Sequence, residues 1–267
     1  MRSGPSLGPV TEAMDRLVAR LRGAGCVFAE DEAELLWAAT DDAVERELLV
    51  RRRIGGEPLE QVLGWAEFDG LRLTVAPGVF VPRRRTRLLA RRAAGLLPAV
   101  GAVTALDLCC GVGAVAAVLA RARPGVRLVA ADLDPVATDC ARRNLPPDAR
   151  VVTGDLFSAV PLGLRGALDV IAANAPYVPT EAIATMPAEA RLHERTAALD
   201  GGDDGLDLHR RITEEARGWL RPGGVLLIET SVAQADATAA LMSRGGLDPR
   251  VEHDDDLDAT VVIGVRA

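Results

Sequence analysis

The sequence predicts an α/β fold with a doubly wound, mostly parallel sheet, preceded by a small helical domain. From Ala102 onward, short apolar runs of strand length alternate with segments of helix length, which is the pattern of parallel strands joined by crossover helices. The first of these runs leads directly into the glycine-rich turn at residues 109–113. Earlier in the chain, apolar residues recur at helical spacing instead.

Residues 1–97 are predicted to form the small helical domain, with a β-hairpin near its end. Asp69-Gly70 lies between two short apolar runs and is a strong signal for a two-residue hairpin turn. An extended segment at residues 79–81 and an arginine-rich helix ending near Leu97 follow the hairpin. Helices before the hairpin are predicted at residues 10–22, 31–39 and 42–54.

Residues 98–267 are predicted to form the α/β domain, a Rossmann-like sheet with an antiparallel terminal strand. The last two strands, residues 249–253 and 260–265, flank an acidic turn and form the antiparallel pair. The other strands are predicted at residues 103–108, 127–131, 150–153, 168–173 and 224–229. The helices are predicted at residues 114–123, 135–144, 208–220 and 232–244.

The composition excludes several kinds of chemistry. All 31 basic residues are arginine, so neither a P-loop lysine nor a Schiff-base lysine is present. The four cysteines form no C-x-x-C pair and the three histidines are scattered, so we expect no metal site. The net charge of −7 argues against a broad surface for duplex nucleic acid. The sequence shows neither a signal peptide nor a membrane span, and we expect a cytoplasmic protein.

The glycine turn is the first candidate for a ligand site. In open parallel sheets, ligands bind beyond the carboxyl ends of the strands, and Gly111 and Gly113 would let the backbone approach a ligand closely. Asp107, just before the turn, would favour a ligand that carries an ammonium group over a pyrophosphate. The alternative is that Asp107 only caps the turn, because a lone Gly-x-Gly is weak evidence.

Acidic residues also follow the next two strands. Asp132 lies about twenty residues after the glycine turn, where a carboxylate accepts hydrogen bonds from ribose hydroxyls. The alternative is that Asp132 caps the following helix. This is less favoured, because Asp134 already provides the N-cap of that helix. Asp155 could accept from an adenine amino group while Leu156 covers the ring, although an isolated Asp155 would more often be a loop cap.

The segment Asn174-Ala175-Pro176-Tyr177 follows a buried strand, and together with the glycine turn it predicts methyl transfer to a planar amide or amine nitrogen. An amide nitrogen is a poor nucleophile, because its lone pair is delocalised. The Asn174 side-chain oxygen and the Ala175 carbonyl would accept its two hydrogens and aim the lone pair at the methyl donor. Pro176 would fix the backbone, and Tyr177 would offer a flat face for stacking. Because the donor is already activated, positioning supplies most of the catalysis. A plain turn is the less favoured alternative.

In this order, the motifs resemble the HemK/PrmC family of S-adenosylmethionine-dependent protein-glutamine N5-methyltransferases. The resemblance covers nearly the whole chain and includes further segments, namely Gly56–Leu59, Val62–Gly64, Glu67-Phe68, Val79–Arg83, Ala198–Gly202, Asp204–Leu206, Glu229 and Gln234. It implies a class I methyltransferase fold behind a helical substrate-recognition domain.

The reasoning from the residues and the resemblance together give the candidate site residues. The catalytic segment would be Asn174, Ala175, Pro176 and Tyr177. S-adenosyl-L-methionine would be bound by Asp107, Cys109, Cys110, Gly111, Val112, Gly113, Asp132, Leu133, Asp155, Leu156 and Asn174. The substrate would be bound by Phe80, Arg83 and the same segment from Asn174 to Tyr177.

Three positions depart from the family pattern. The family has Asn-Pro-Pro-Tyr where this chain has Ala175, and a leading glycine where it has Cys109. Where the family has Pro-Arg-Pro-Glu-Thr, this chain has Pro82-Arg83-Arg84-Arg85-Thr86. The last change lies near the expected mouth of the site and bears on the identity of the substrate.

The expected partner is a peptide chain release factor whose Gly-Gly-Gln loop is methylated by a monomeric enzyme. An N-methyltransferase acting on adenine in nucleic acid or on a small-molecule amine or amide is the alternative, and a non-catalytic cofactor-binding paralogue is a third interpretation. Direct nucleic-acid binding is not expected, and no membrane partner is expected. The arginine cluster between Arg83 and Arg92 is either a solvated face paired with the chain's own acids or a docking surface for an acidic partner or RNA.

Overall fold

The structure, a computed structural model, describes residues 9–267. Contacts within the chain divide it into two compact units, one that ends at Gly64 and one that runs from Trp65 to Ala267. The sequence predicts a boundary after residue 97 instead. The difference arises because Phe68 of the hairpin and Leu88 and Leu89 of the following helix belong to the same buried core as the large sheet. The hairpin is therefore part of the larger unit.

The smaller unit consists of helices packed around a core that includes Leu21, Leu36 and Val50. Its third helix begins where the Asp42 carboxylate accepts hydrogen bonds from two backbone amides, which is the usual N-cap arrangement. A buried ion pair between Arg53 and Glu32, 2.6 Å apart, joins the second and third helices. The helices are α1 (Pro9–Gly23), α2 (Ala29–Ala38), α3 (Ala43–Ile54) and α4 (Leu59–Leu63).

The larger unit begins with the predicted hairpin, β1 (Trp65–Phe68) and β2 (Leu71–Thr74). Both turn residues have positive φ, 51° at Asp69 and 78° at Gly70, which matches the twist of an antiparallel pair. The helix α5 (Thr86–Gly95) follows. The segment at residues 79–81, predicted to be extended, forms no strand in the described structure.

The rest of the larger unit is a seven-stranded sheet with helices on both faces. Its strands are β3 (Thr104–Leu108), β4 (Arg127–Asp132), β5 (Arg150–Thr153), β6 (Leu168–Ala173), β7 (Leu220–Thr230), β8 (Asp248–Asp254) and β9 (Ala259–Val265). Its helices are α6 (Ala114–Ala122), α7 (Pro135–Asn144), α8 (Ala188–His193), α9 (Asp207–Trp219) and α10 (Ala235–Arg244).

The strand order is β5-β4-β3-β6-β7-β9-β8, and β9 runs antiparallel to both of its neighbours. The predicted fold class is therefore confirmed, including the antiparallel terminal strand. The chain leaves β3 toward β4 on one side and later returns to β6 on the other, so the direction of winding reverses at β3. The carboxyl ends of β3, β4 and β6 meet at this switch point, where open α/β sheets bind their ligands.

Two parts of the larger unit differ from the expected elements. Strand β7 starts at Leu220, not at residue 224, and its register against β6 shifts between Leu168 and Val170. The Arg-Pro-Gly-Gly sequence forms this irregular part of the strand, where Gly223 donates to the Arg266 carbonyl. Between β6 and α9, short 3-10 turns and α8 take the place of a plain connection.

Candidate active site

A cavity of about 210 Å³ opens at the carboxyl ends of β3, β4, β5 and β6. It brings together residues that are far apart in the sequence. Of the predicted residues, those in its lining are Phe80, Arg83, Cys109, Gly111, Asp132, Leu133, Asp155, Leu156, Asn174, Ala175, Pro176 and Tyr177. Four predicted cofactor residues, Asp107, Cys110, Val112 and Gly113, are buried behind the lining.

The glycine turn forms one wall of the cavity. Cys109, Gly111 and Gly113 have φ values of 55°, 52° and 80°, so the chain is left-handed at each. At Cys109 this conformation costs about 1 kcal/mol, since a side chain is disfavoured there, and the family's glycine avoids that cost. A Cβ at Gly113 would lie 3.2 Å from Cβ of Ala141 of α7, so a larger residue would need this neighbour to shift by a few tenths of an ångström.

Asp107 lies behind the turn and makes a local hydrogen bond. Its carboxylate accepts from the Ala116 amide at 2.9 Å, near the start of α6. Burial raises the pKa of Asp107 to about 7. In this structure the Asp107 carboxylate is bonded to the first turn of α6 and supports the wall of the cavity from behind, and its role toward a bound ligand stays a prediction.

We expect replacement of Asp107 by asparagine to flatten the dependence of stability on pH. The folded pKa of about 7 lies above the unfolded value of 3.8, so the folded protein loses stability as the pH rises through 7. This group alone accounts for a loss of about 4 kcal/mol between pH 4 and pH 8. Asp107→Asn keeps an acceptor for the Ala116 amide but has no titrating group at this position. Its free energy of unfolding should therefore not show this loss between about pH 4 and pH 8.

Urea unfolding at several pH values measures the effect. Asp148→Asn makes the same chemical change at an exposed position and should follow the parental curve. Parallel curves for Asp107→Asn and the parent would show that Asp107 does not titrate in this range.

Asp132 ends β4 with its carboxylate at the edge of the cavity. Oδ2 accepts from the Gly111 amide at 2.8 Å, and Oδ1 accepts from the Asp134 amide at 2.9 Å. Burial raises the pKa of Asp132, while these backbone bonds act in the opposite direction. Each carboxylate oxygen has a second lone pair, so Asp132 can still accept from hydroxyl groups in the cavity.

Asp155 and Leu156 form the far wall. Leu156 has a φ of 45°, an unusual value for leucine, and it is a buried residue that lines the cavity. Asp155 is bonded at 2.6 Å to Arg211 of α9. The lining thus offers acidic groups at two strand ends, separated by apolar surface.

Asn174 extends from the end of β6 and is held by a residue that the sequence reasoning did not single out. Its Nδ2 donates to Thr86 Oγ1 of α5 at 3.2 Å. No described residue donates to Asn174 Oδ1, and the side chain lines the cavity. The amide is therefore oriented with its acceptor oxygen available in the cavity. Ala175 is almost fully buried behind it.

Tyr177 presents its ring to the cavity from a fixed position. Its hydroxyl donates to Glu229 Oε1 at 3.2 Å, and Arg85 Nε lies 3.4 Å from the same oxygen. The Arg85 guanidinium also lies 5.8 Å from the centre of the Tyr177 ring. His209 packs behind the ring, and burial lowers its pKa to about 4, so it is neutral at neutral pH.

A loop from Leu199 to Asp207 holds the backbone of the Asn-Ala-Pro-Tyr segment. Val178 donates to the Leu199 carbonyl and accepts from the Gly201 amide. The Gln234 side chain donates to the carbonyls of Tyr177 at 3.0 Å and Asp204 at 2.9 Å. These contacts explain the glycines and Gln234 that the family resemblance includes.

Phe80 and Arg83 reach the mouth of the cavity. Arg83 donates to both oxygens of Glu194 at 2.7 Å, and its guanidinium lies 4.8 Å from the Phe80 ring centre. Glu194 also accepts from the Val81 amide at 3.1 Å. Sequence reasoning missed Glu194, because no local pattern marks its distant partners. The charge of Arg83 is thus largely balanced within the protein.

Three further arginines of the cluster are paired with acids of the same unit. Arg87 pairs with Glu67 at 2.5 Å, Arg91 with Asp69 at 2.8 Å and Arg92 with Glu252 at 2.6 Å. These ion pairs favour the interpretation in which the arginines form an exposed surface paired with the chain's own acidic residues, over the interpretation as a docking surface.

Residues 9–267 show no metal centre and no reactive cysteine at the cavity. No group of three or more histidine, cysteine and acidic side chains is placed to hold a metal ion. The pKa of the Cys109 thiol is raised by burial and by nearby carboxylates, so it is not a reactive thiolate. Over the same residues, none of the helices has the length and apolar character to cross a membrane.

Comparison with known proteins agrees with this geometry. Residues 71–204 match the family described as Methyltransferase small domain. A release factor glutamine methyltransferase from Geobacter sulfurreducens is 39% identical over 201 residues, which are 74% of this chain and 69% of that protein. A 4-amino-L-phenylalanine/4-methylamino-L-phenylalanine methyltransferase from Streptomyces pristinaespiralis is 34% identical over 259 residues, 89% of this chain and 88% of that one.

A solved methyltransferase from Pyrococcus furiosus has the same fold, with a TM-score of 0.55 over 74% of this chain and 90% of that chain at 19% identity. The extent of the sequence identity shows the relationship directly. This chain belongs to the family of the release factor glutamine methyltransferases.

Proposed function

We propose that the protein transfers the methyl group of S-adenosyl-L-methionine to the side-chain amide nitrogen of a glutamine in a protein. The observation that carries the proposal is the orientation of Asn174. Its Nδ2 is bound to Thr86 at 3.2 Å, so Oδ1 is directed to accept a hydrogen bond in the cavity. An acceptor at this point suits an N–H group of the methyl acceptor.

The cavity fits the cofactor by its chemistry. S-adenosyl-L-methionine carries a sulfonium and an ammonium group, and carboxylates near them stabilise both charges. Asp132 would hold the ribose hydroxyls, while Asp155 and Leu156 would hold the adenine. Gly111 and Cys109 would bring the backbone of the turn to the methionine part. The bound cofactor supplies a methyl group that is already activated.

The protein's own groups would then orient the amide. Asn174 Oδ1 and the Ala175 carbonyl would each accept one N–H hydrogen of the glutamine, and the Tyr177 ring would cover the planar amide. The cofactor would supply the methyl carbon, with the electrons of the broken carbon–sulfur bond passing to sulfur, while Asn174 and Ala175 would hold the nitrogen lone pair toward that carbon. The nitrogen then releases one proton to water. Orientation of this kind can contribute several kcal/mol.

A peptide chain release factor is the substrate that we propose, at its Gly-Gly-Gln loop. Support comes from the relatives named release factor glutamine methyltransferase, such as that of Geobacter sulfurreducens. The test is transfer of labelled methyl from S-adenosyl-L-methionine to a purified release factor. The same release factor with Gly-Gly-Glu is the matched control and should remain unlabelled. Equal labelling of both would exclude the glutamine as acceptor.

A small aromatic amine is the second candidate. Arg85, which stands where the family has glutamate, lines the cavity beside Tyr177 and would suit the carboxylate of a free amino acid. The relative from Streptomyces pristinaespiralis, which spans almost the whole chain, is named for such a substrate. If 4-amino-L-phenylalanine is labelled in preference to the release factor in the same assay, the result favours this candidate.

We expect Asp132→Ala to weaken cofactor binding by about 30- to 100-fold. Loss of a carboxylate that holds two hydroxyl groups costs about 2 to 3 kcal/mol. Calorimetry measures the dissociation constant, and thermal unfolding checks the fold. Asp139→Ala removes the same charge from an exposed site on α7 and should bind as the parent does. Unchanged affinity in Asp132→Ala would remove this residue from the cofactor site.

A further inference from the structure

Glu229 lies at the end of β7, behind the cavity and outside its lining. It is 1% exposed, which is rare for a carboxylate. Oε1 accepts from the Tyr177 hydroxyl at 3.2 Å, and Arg85 lies 3.4 Å from the same oxygen. Burial raises the pKa of this carboxyl, while a hydrogen bond from the Thr86 hydroxyl beside it, the charge of Arg85 and the bond from Tyr177 act in the opposite direction. Glu229 therefore contacts Tyr177 directly and lies beside Thr86, which binds Asn174.

The direction of the hydrogen bonds in this cluster is fixed by the chemistry of its members. An ionised carboxylate only accepts hydrogen bonds. Thr86 Oγ1 accepts from Asn174 Nδ2, so its single proton is left for Glu229. Within residues 9–267, Glu229 Oε2 is buried without a hydrogen-bond partner and is available for that proton. In this arrangement Asn174 donates to Thr86, and Thr86 donates to Glu229.

We propose that Glu229 is a positioning residue that determines, through Thr86, which side of the Asn174 amide faces the methyl acceptor. The proposal rests on the proposed function, in which Asn174 Oδ1 accepts from the acceptor's N–H group. With Thr86 donating to Glu229, the Asn174 amide turns its nitrogen inward and its oxygen into the cavity. The same carboxylate holds the Tyr177 hydroxyl, so it fixes both ends of the segment.

This arrangement also gives a role to Arg85, one of the departures from the family pattern. A buried carboxylate is costly unless it is paired, and the Arg85 guanidinium is the nearest cation to Glu229. Its charge lowers the pKa of Glu229 against the effect of burial, and so favours the ionised form that can only accept hydrogen bonds. Arg85 therefore supports the orientation of Asn174 from a position outside the sequence motif.

The composition makes a direct test possible, because Asn144 and Asn174 are the only asparagines in the sequence. Selective nitrogen-15 labelling of asparagine gives two side-chain amide groups in a nuclear magnetic resonance spectrum. Asn144 donates to the carbonyls of Thr74 and Val112 and serves as an internal reference. The Asn174→Ala protein identifies the second pair of signals by their loss.

Thr86→Val and Glu229→Gln are the test variants, and Thr86→Ser is the conservative one. We expect Thr86→Val to shift the Asn174 signals and to speed their hydrogen exchange at least tenfold, whereas Thr86→Ser keeps the parental pattern. Glu229→Gln should give a second set of Asn174 signals, because glutamine can donate to Thr86 and reverse the direction of the bonds. The Asn144 signals should stay in place throughout.

Thr230→Val is the matched control. Thr230 follows Glu229 on the same strand and is buried, and its hydroxyl has no hydrogen-bond partner among the described residues. Its replacement removes a buried hydroxyl of the same kind and should leave the Asn174 signals unchanged. Asn174 signals that shift as much in Thr230→Val as in Thr86→Val would point to general repacking and would overturn the proposal.

Methyl transfer supplies the second measurement. With the acceptor that the parent modifies, we expect Thr86→Val to lower the single-turnover rate about 10- to 100-fold at unchanged cofactor affinity, with recovery in Thr86→Ser. If the parent modifies no release factor, the substrate assignment fails, and the resonance experiment still decides the role of Glu229. If the Asn174 signals of both Thr86→Val and Glu229→Gln match those of the parent, Glu229 does not position Asn174.

Discussion

Asn174→Ala should lower the single-turnover rate of methyl transfer by about 100- to 1000-fold, with the cofactor dissociation constant changed by less than about threefold. The side-chain oxygen of Asn174 is the acceptor proposed to bind the reacting nitrogen's hydrogen. Without it, that N–H group is left unpaired in a cavity from which water is largely displaced. The effect therefore belongs to the chemical step and not to ground-state binding of the cofactor.

The measurement is a single turnover with cofactor saturating, using the acceptor that the parent modifies. Asn174→Asp is the informative partner, because it keeps an acceptor oxygen but loses the Nδ2–H bond to Thr86, and adds a charge. We expect its rate to be low as well. A parental rate in Asn174→Ala would mean that the amide-orienting mechanism is wrong and that the cavity orients its acceptor by other groups.

The fold could be predicted because its signals are local. The helix α7 was predicted with the bounds Pro135–Asn144, and β6 was predicted as Leu168–Ala173, both as observed. In α7, Asp134 caps the first turn and Pro135 occupies the next position, so the sequence itself specifies the start. In β6 every residue is buried, as the continuous apolar run indicates.

The residues that orient the site could not be predicted in the same way. Thr86 approaches Asn174, Glu229 approaches Tyr177, and Glu194 binds Arg83, each across a long stretch of sequence. A threonine at a helix start or a glutamate at a strand end has no distinctive local pattern. These roles arise only when α5 packs on the sheet, which is also why the unit boundary lies at Gly64 and not at residue 97.

Asp107 and Asp132 show how position along a strand separates two acids that the sequence assigns to one site. The sequence placed Asp107 near the cofactor, whereas the structure buries it against α6 and leaves Asp132 at the cavity. The two acids are at the ends of neighbouring parallel strands, but only Asp132 extends past the last paired residue of β3. One or two residues along a strand decide whether a carboxylate is buried against a helix or lines the cavity.

Gly205→Ala should be the most disruptive single glycine substitution at the site. Gly205 has a φ of 76°, and a methyl group there would overlap the Tyr177 carbonyl oxygen and the Gln234 side-chain nitrogen. The left-handed backbone alone costs about 1 kcal/mol for alanine. The overlap adds about 1 to 3 kcal/mol of strain, unless the loop moves away from Tyr177.

The chain offers a matched control for the backbone cost. Gly166 has a φ of 72°, but no atom lies within 4 Å of the position that its Cβ would take. Gly166→Ala should therefore lose only about 1 kcal/mol of unfolding free energy. Denaturant unfolding of the two variants separates the backbone cost, which they share, from the steric overlap, which only Gly205→Ala has.

Displacement of the loop has a consequence beyond stability. Gln234 donates to the carbonyls of both Tyr177 and Asp204, so a shift at Gly205 breaks the link between the loop and the Asn-Ala-Pro-Tyr segment. We expect Gly205→Ala to reduce methyl transfer at least about 100-fold at a temperature where the variant is folded, since a displacement of about 1 Å can have that effect. Gly166→Ala should keep the parental rate. Equal rates in the two variants would show that the loop tolerates the methyl group and does not hold Tyr177 in place.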